Sequence, residues 1–153
     1  MTEPRRYTPL ELAIANPIIR VMSRLNTWAY RATGGRLGGT FLRGAPVLLM
    51  TVTGRKTGRR LTVPLLYLRD GDRLVIVASK GGMDHHPLWY LNLLANPDVD
   101  VQIGNDVRPM RAAVADDAER ARLWPRLVAM YRDYADYQAR TTRQIPVVVL
   151  TPR

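Results

Sequence analysis

The chain has 153 residues, no cysteine, and 23 basic against 13 acidic residues, a formal net charge of +10. That length suits one domain with its own core, and the missing cysteines exclude disulfides, thiol nucleophiles and thiolate metal sites, as expected of a cytoplasmic protein. No run reaches the roughly 18 uncharged apolar residues of a membrane span, and the N-terminus lacks the pattern of a secretory signal.

The positive charge is concentrated early. Residues 1–60 hold eleven Arg and Lys against Glu3 and Glu11, whereas the remainder is almost balanced. An anionic partner is implied: a phosphorylated ligand, a membrane surface or nucleic acid. Nucleic acid is the weakest of these, because no basic–aromatic motif or recognition helix accompanies the charge.

Leu10 to Arg31 has helical spacing of Leu10, Ile14, Ile18, Val21, Met22, Leu25 and Trp28, with Pro17 predicted to kink or restart it. Gly34-Gly35-Arg36-Leu37-Gly38-Gly39 ends that helix. Residues 1–33 are thus an N-terminal amphipathic segment, with 34–153 as the main domain. Strands are predicted at about 46–53, 61–69 and 73–79, the last two joined by a hairpin at Asp70-Gly71-Asp72.

Pro87 to Asn96 reads as a short helix. Alternation at Asp98 to Gly104 predicts a strand, and Asn105-Asp106 turns into another at about 107–115. Asp116 and Glu119 form a capping box for a helix running to about Arg140, and Ile145 to Leu150 is a final strand. The fold class is α+β, mainly β. About six antiparallel strands with few intervening helices favour a small barrel over a doubly wound sheet.

Four segments carry candidate chemistry. Thr53-Gly54-Arg55-Lys56-Thr57-Gly58-Arg59-Arg60 is a cationic turn between two apolar runs, suited to a phosphate or carboxylate. The plain alternative is a solvated basic hairpin tip. Lys56 and Lys80 are the only lysines, and Lys80 lies in a second glycine loop, Ser79-Lys80-Gly81-Gly82. Trp89 and Asn92 share a helix face and would suit a flat heterocycle; core packing is the alternative. Tyr131, Tyr134 and Tyr137 recur at helical spacing, as core or as a polar-lined cavity. The adjacent His85 and His86 complete no metal set. With no nucleophile–base pair visible, a bound cofactor would carry any chemistry.

In order, Thr-Gly-Arg-Lys-Thr-Gly, Pro-Leu-Leu-Tyr-Leu-Arg-Asp-Gly, Ala-Ser-Lys-Gly-Gly, Pro-Leu-Trp-Tyr-Leu-Asn-Leu-Leu-Ala-Asn-Pro and Tyr-x-x-Tyr-x-x-Tyr-Gln resemble the deazaflavin-dependent nitroreductases of actinobacteria. The resemblance implies a split β-barrel that binds coenzyme F420, a deazaflavin with a phosphate and an oligoglutamate tail, and no metal. It implies that Arg55, Lys56 and Thr57 hold the phosphate, with Arg60, Leu61, Thr62, Val63, Pro64, Leu65 and Leu66 along the cofactor. Val77, Ala78, Ser79 and Lys80 would line it from the neighbouring strand, and Leu88, Trp89, Tyr90, Leu91 and Asn92 from the short helix. Tyr134 would reach the deazaflavin. Ser79, Tyr131, Tyr134 and Tyr137 would border the substrate, with Tyr134 and Ser79 as the catalytic candidates. Leu61 departs from the family pattern, which places an arginine there; Arg60 is the neighbouring cation.

The expected activity is hydride transfer from reduced F420 to a menaquinone-like quinone or a nitroaromatic or nitroimidazole acceptor. The alternative is a non-catalytic protein carrying F420 or a fatty-acyl ligand. The basic N-terminal helix suggests peripheral contact with an anionic membrane, or else a helix packed on the barrel.

Overall fold

The computed structural model describes residues 7–40 and 44–153, with the side chains of 12–16 outside that description. Helix α1 spans Pro9–Thr33. Thr8 caps it: its hydroxyl accepts from the Glu11 N–H and its own N–H donates to the Glu11 carboxylate. The helix runs through Pro17 without a second start, unlike the interruption expected from sequence. Ile14 of the predicted apolar stripe lies outside the described side chains.

The strands are β1 (Val47–Thr53), β2 (Arg60–Leu66), β3 (Leu68–Asp70), β4 (Arg73–Val77), β5 (Asp98–Ile103), β6 (Asp106–Val114) and β7 (Val147–Pro152). Helix α2 (Leu88–Ala95) precedes β5; α3 (Asp117–Met130) and α4 (Asp133–Arg140) precede β7. All pairings are antiparallel, in the order β2-β1-β5-β6-β7-β4-β3. Seven strands replace the expected six because the run at 61–69 changes partner at Tyr67: up to Leu66 it pairs with β1, and from Leu68 with β4, the Tyr67 N–H to Pro46 carbonyl bond being the last in the β1 register.

That break shapes the molecule. The two edge strands of the sheet, β2 and β3, are joined by Tyr67 alone, so the sheet must curl until its edges meet. They then part. β3 pairs with β4 only over Arg73 to Val75, which leaves Ile76 and Val77 with a strand on one side only. The result is a barrel split between β2 and the end of β4.

Period-two alternation sorts the core onto two faces. Leu48, Met50, Val52, Ile76, Val101, Val148 and Leu150 fill the barrel interior under Trp89, Tyr90 and Leu93 of α2. Val75, Val77, Val147 and Val149 face outward against Leu123, Leu127, Tyr131 and Tyr134. Burying each such aliphatic side chain contributes about 1.5–3 kcal/mol. The predicted single helix to Arg140 is two: Tyr131 takes an extended conformation (φ −142°, ψ 97°) between α3 and α4.

Helix α1 stands apart from both clusters. Near its C-terminal end, Tyr30 is buried on Val47 and Leu49, and its hydroxyl accepts the Gly104 N–H at 2.8 Å. At its N-terminal end, the Tyr7 hydroxyl donates to the Gly81 carbonyl at 3.1 Å and receives Arg140 at 2.8 Å. The helix therefore reaches from β2 to the glycine loop after β4. Between these anchors Ile18, Ile19, Val21, Met22, Leu25 and Trp28 are exposed, Trp28 to 71%.

Candidate active site

The cationic turn folds on itself. The Gly54 N–H donates to the Arg59 carbonyl (2.8 Å), the Gly58 N–H to the Gly54 carbonyl (2.9 Å), and the Thr57 hydroxyl accepts from the Arg59 N–H (3.3 Å). Gly58 adopts φ +70°, a left-handed conformation that glycine takes without strain. Among the described residues, the N–H groups of Lys56 and Thr57 meet no acceptor, and residues 55–60 are exposed. Two free N–H groups beside Arg55, Lys56 and Arg59 fit a phosphate.

The turn is held from below. Asn92 is buried on α2, and its side-chain oxygen accepts the Arg55 backbone N–H at 3.1 Å and the Arg55 guanidinium at 3.4 Å. Trp89 is buried edge-on to Tyr90 with ring centroids 6.3 Å apart. The pair read from sequence as a plane beside an amide thus spends its amide oxygen on Arg55 and its plane in the core.

Strand alternation divides the expected cofactor-lining residues. Val63 and Leu65 pack on the interior cluster with Ala78, Trp89, Tyr90 and Leu91. Leu61 shares the face of Val63 and Leu65, whereas Arg60, Thr62 and Pro64 face the other way. Arg60 donates to the Thr53 hydroxyl at 3.0 Å and pairs with the Asp100 carboxylate on that outer face. It does not stand on the side where Leu61 replaces the family arginine. Leu66 and Val77 belong to the outer cluster with the tyrosines, and Leu88 is 60% exposed.

Across the split, the chain after Ala78 turns sharply. Lys80 has φ +45°, the only positive φ of a non-glycine among the described residues. A Cβ on Gly82 would lie 2.6 Å from the Tyr137 carbonyl oxygen, so the loop seats directly against α4. Arg143, which sequence reading missed, pins this loop: it donates to the carbonyls of Ser79 (2.9 Å), Met83 (2.9 Å) and Ala78 (3.3 Å) and meets His86 Nδ1 at 3.3 Å. A lone arginine in Thr-Thr-Arg-Gln-Ile offers no motif that would have marked it. Burial, with the Arg143 cation second, lowers the His86 pKa below its usual value.

Tyr131, Tyr134 and Tyr137 do gather, despite the helix break. Their ring centroids lie 5.1–6.2 Å apart, and the Tyr131 and Tyr137 hydroxyls are 3.2 Å apart. Burial raises the pKa of both Tyr131 and Tyr134, so both phenols stay protonated well past neutral pH. Among the described residues no group of three or more His, Asp or Glu side chains gathers to hold a metal.

The model of the F420H(2)-dependent quinone reductases matches residues 22–152. The chain belongs to this family. Coenzyme F420 is accordingly its cofactor, and the protein is an oxidoreductase of the quinone reductase type. It is 45% identical over 137 residues to the F420H(2)-dependent quinone reductase Rv1261c of Mycobacterium tuberculosis, covering 85% of this chain and 89% of that one. Among solved structures it resembles the F420-H2 dependent reductase FDR-A, with 42% identity, a TM-score of 0.65, and coverage of 69% of this chain and 93% of that one. A domain-swapped dimer matches at 36% identity and a TM-score of 0.67, over 88% of this chain and 99% of the other.

Proposed function

We propose that the split between β2 and the end of β4 holds the reduced deazaflavin and that the acceptor enters beside Tyr134. The observation that carries this reading is that Val63 and Leu65 of β2 pack in one cluster with Ala78, where the glycine loop begins, while a phosphate-sized cationic turn precedes β2. When bound, the cofactor supplies a hydride, two electrons at once, to an electron-poor acceptor.

The chain's own residues bind the cofactor and orient the acceptor. Arg55, Lys56 and the free N–H groups of the turn hold the phosphate. Arg143 fixes the carbonyls of Ala78 and Ser79, and with them the loop that faces the cofactor. Tyr134 stays neutral and donates a hydrogen bond to the acceptor oxygen, orienting it and stabilising the charge that develops there. Ser79, Tyr131 and Tyr137 complete the substrate border. A menaquinone-like quinone is reduced to its hydroquinone once one proton from solvent joins the transferred hydride; nitroaromatics and nitroimidazoles are further acceptors.

A lipid quinone resides in a bilayer, and the exposed Ile18, Val21, Met22, Leu25 and Trp28 of α1, with Arg20 beside them, support a peripheral position on an anionic membrane face. No described helix is long and apolar enough to cross the membrane. Co-sedimentation with phosphatidylglycerol vesicles but not phosphatidylcholine vesicles is expected, and equal recovery with both would remove this placement. Single-turnover mixing of protein, reduced F420 and menaquinone analogue separates the enzyme from a mere carrier of F420 or a fatty-acyl ligand.

A further inference from the structure

Arg143 lies between α4 and β7, and its guanidinium presents five N–H donors and no acceptor. Each donor has a partner. Nε meets the Met83 carbonyl at 2.9 Å, and Nη2 meets the carbonyls of Ser79 (2.9 Å) and Ala78 (3.3 Å). Nη1 meets the Ala78 carbonyl and His86 Nδ1, both at 3.3 Å. All but one of these contacts go to the backbone at and after the end of β4. The remaining one goes to a ring that titrates near neutral pH. Because a guanidinium only donates, Nδ1 accepts, and the neutral ring carries its proton on Nε2.

His86 stands between two elements of the candidate site. It immediately precedes Pro87, the N-cap of α2, and α2 carries the Asn92 that holds the cationic turn. Its ring lies against Tyr90, with centroids 4.8 Å apart. Beyond Arg143 is the glycine loop, bent through the positive φ of Lys80, a conformation that persists only while its surroundings hold it. Asp84 is turned to Thr141, whose hydroxyl donates to it at 2.8 Å, and its charge bears on Arg143; His85 is exposed. Among the described residues, Arg143 is the charged group that bears on the His86 ring, and it acts with burial to disfavour the imidazolium.

We propose that His86 is a positioning residue for hydride transfer: its neutral ring, accepting at Nδ1, seats Arg143 against the glycine loop, and proton uptake by the ring releases that loop. The assignment rests on the placement of the cofactor beside the loop. A protonated Nδ1 would be a donor facing a donor and a cation facing a cation. Arg143 then withdraws, the carbonyls of Ala78, Ser79 and Met83 lose their common partner, and the bend at Lys80 relaxes.

The native protein alone gives the first test. Nitrogen-15 NMR of the free protein is expected to show the Nε2–H tautomer of His86 at neutral pH. The amide signals of Gly81, Gly82 and Met83 are expected to shift with the midpoint of the ring, below the usual imidazole value of about 6.5. Single-turnover hydride transfer from saturating reduced F420 to a menaquinone analogue is then compared with two variants between about pH 7.5 and pH 5. His86→Leu removes the acceptor and is expected to slow transfer about tenfold throughout, the effect of a slightly displaced loop. His86→Asn supplies a side-chain oxygen that does not titrate. It is expected to restore most of the rate at the neutral end and to outpace the native protein about tenfold at the acid end. Taking the ratio of native to asparagine rates cancels ionisation of the coenzyme or acceptor. An Nδ1–H ring, loop signals that ignore the His86 midpoint, or a ratio constant with pH would each overturn the proposal. Absence of any hydride transfer by the native protein at neutral pH would instead strike the cofactor reading, and the loop signals of the free protein would still decide the role of His86.

Discussion

Asn92 on the short helix after the glycine loop accepts the backbone N–H of Arg55 through its side-chain oxygen at 3.1 Å. One buried amide thus sets the position of the whole cationic turn, because Arg55 opens the stretch whose N–H groups face solvent. Asn92→Leu keeps the branched shape and leaves that N–H without its partner, a cost of about 1–3 kcal/mol. F420 affinity is expected to fall roughly tenfold while the protein still folds, measured by fluorescence titration beside a melting curve. Unchanged affinity would free the turn from dependence on α2.

Lys56 is exposed and has no partner among the described residues, so it contributes nothing visible to the fold. Lys56→Ala is expected to leave the melting temperature within about 1 °C and to weaken F420 binding about tenfold. The loss should shrink as salt rises, because an exposed charge is screened. A variant that binds normally at low salt would move the phosphate elsewhere.

Tyr134 is buried beside Tyr131 and Tyr137, and burial raises its pKa. Its hydroxyl is therefore protonated at every pH at which the protein is assayed. Tyr134→Phe is expected to slow turnover ten- to a hundredfold with F420 affinity preserved. The native rate should show no decline from tyrosine ionisation below about pH 10. A basic limb near pH 8 that disappears in the phenylalanine variant would contradict a neutral Tyr134.

Asp70 receives Arg122, Arg126 and Arg73 at 2.8, 2.8 and 2.5 Å and ties the β3–β4 hairpin to α3. Hydrogen bonds from Arg122, then Arg126 and Arg73, hold its carboxyl well below the usual carboxylate range. A folded-state pKa below the unfolded value stabilises the protein above about pH 4, and the benefit is lost as pH falls further. Asp70→Asn is expected to cost about 1 kcal/mol at pH 7, discounted for the partly exposed arginines, and progressively less below pH 4. Urea melts at pH 7 and pH 3 measure the difference.

Period-two alternation was legible for most strands, because one face of each is buried and its pattern repeats every second residue. The two misplaced boundaries have local causes. Tyr67 sits in an apolar run, yet it is the residue at which that run exchanges β1 for β4 as its partner. Tyr131 continues a helical spacing but leaves helical dihedrals, and packing restores the ring cluster across the break. The cationic turn and glycine loop were legible as motifs. Their supports were not: Asn92 and Arg143 act over 37 and up to 65 residues of sequence, where no local pattern records the contact. The α1 stripe was legible too, but sequence alone could not decide between a packed and an exposed face.

The most direct test is to mix the purified protein with reduced F420 and a water-soluble menaquinone analogue and follow the oxidised deazaflavin by absorbance. Reoxidation well above the protein-free rate, saturating in both reactants and reduced by Lys56→Ala and Tyr134→Phe, is expected. Reoxidation no faster than in buffer, with the coenzyme demonstrably bound, would contradict the proposed hydride transfer to a quinone.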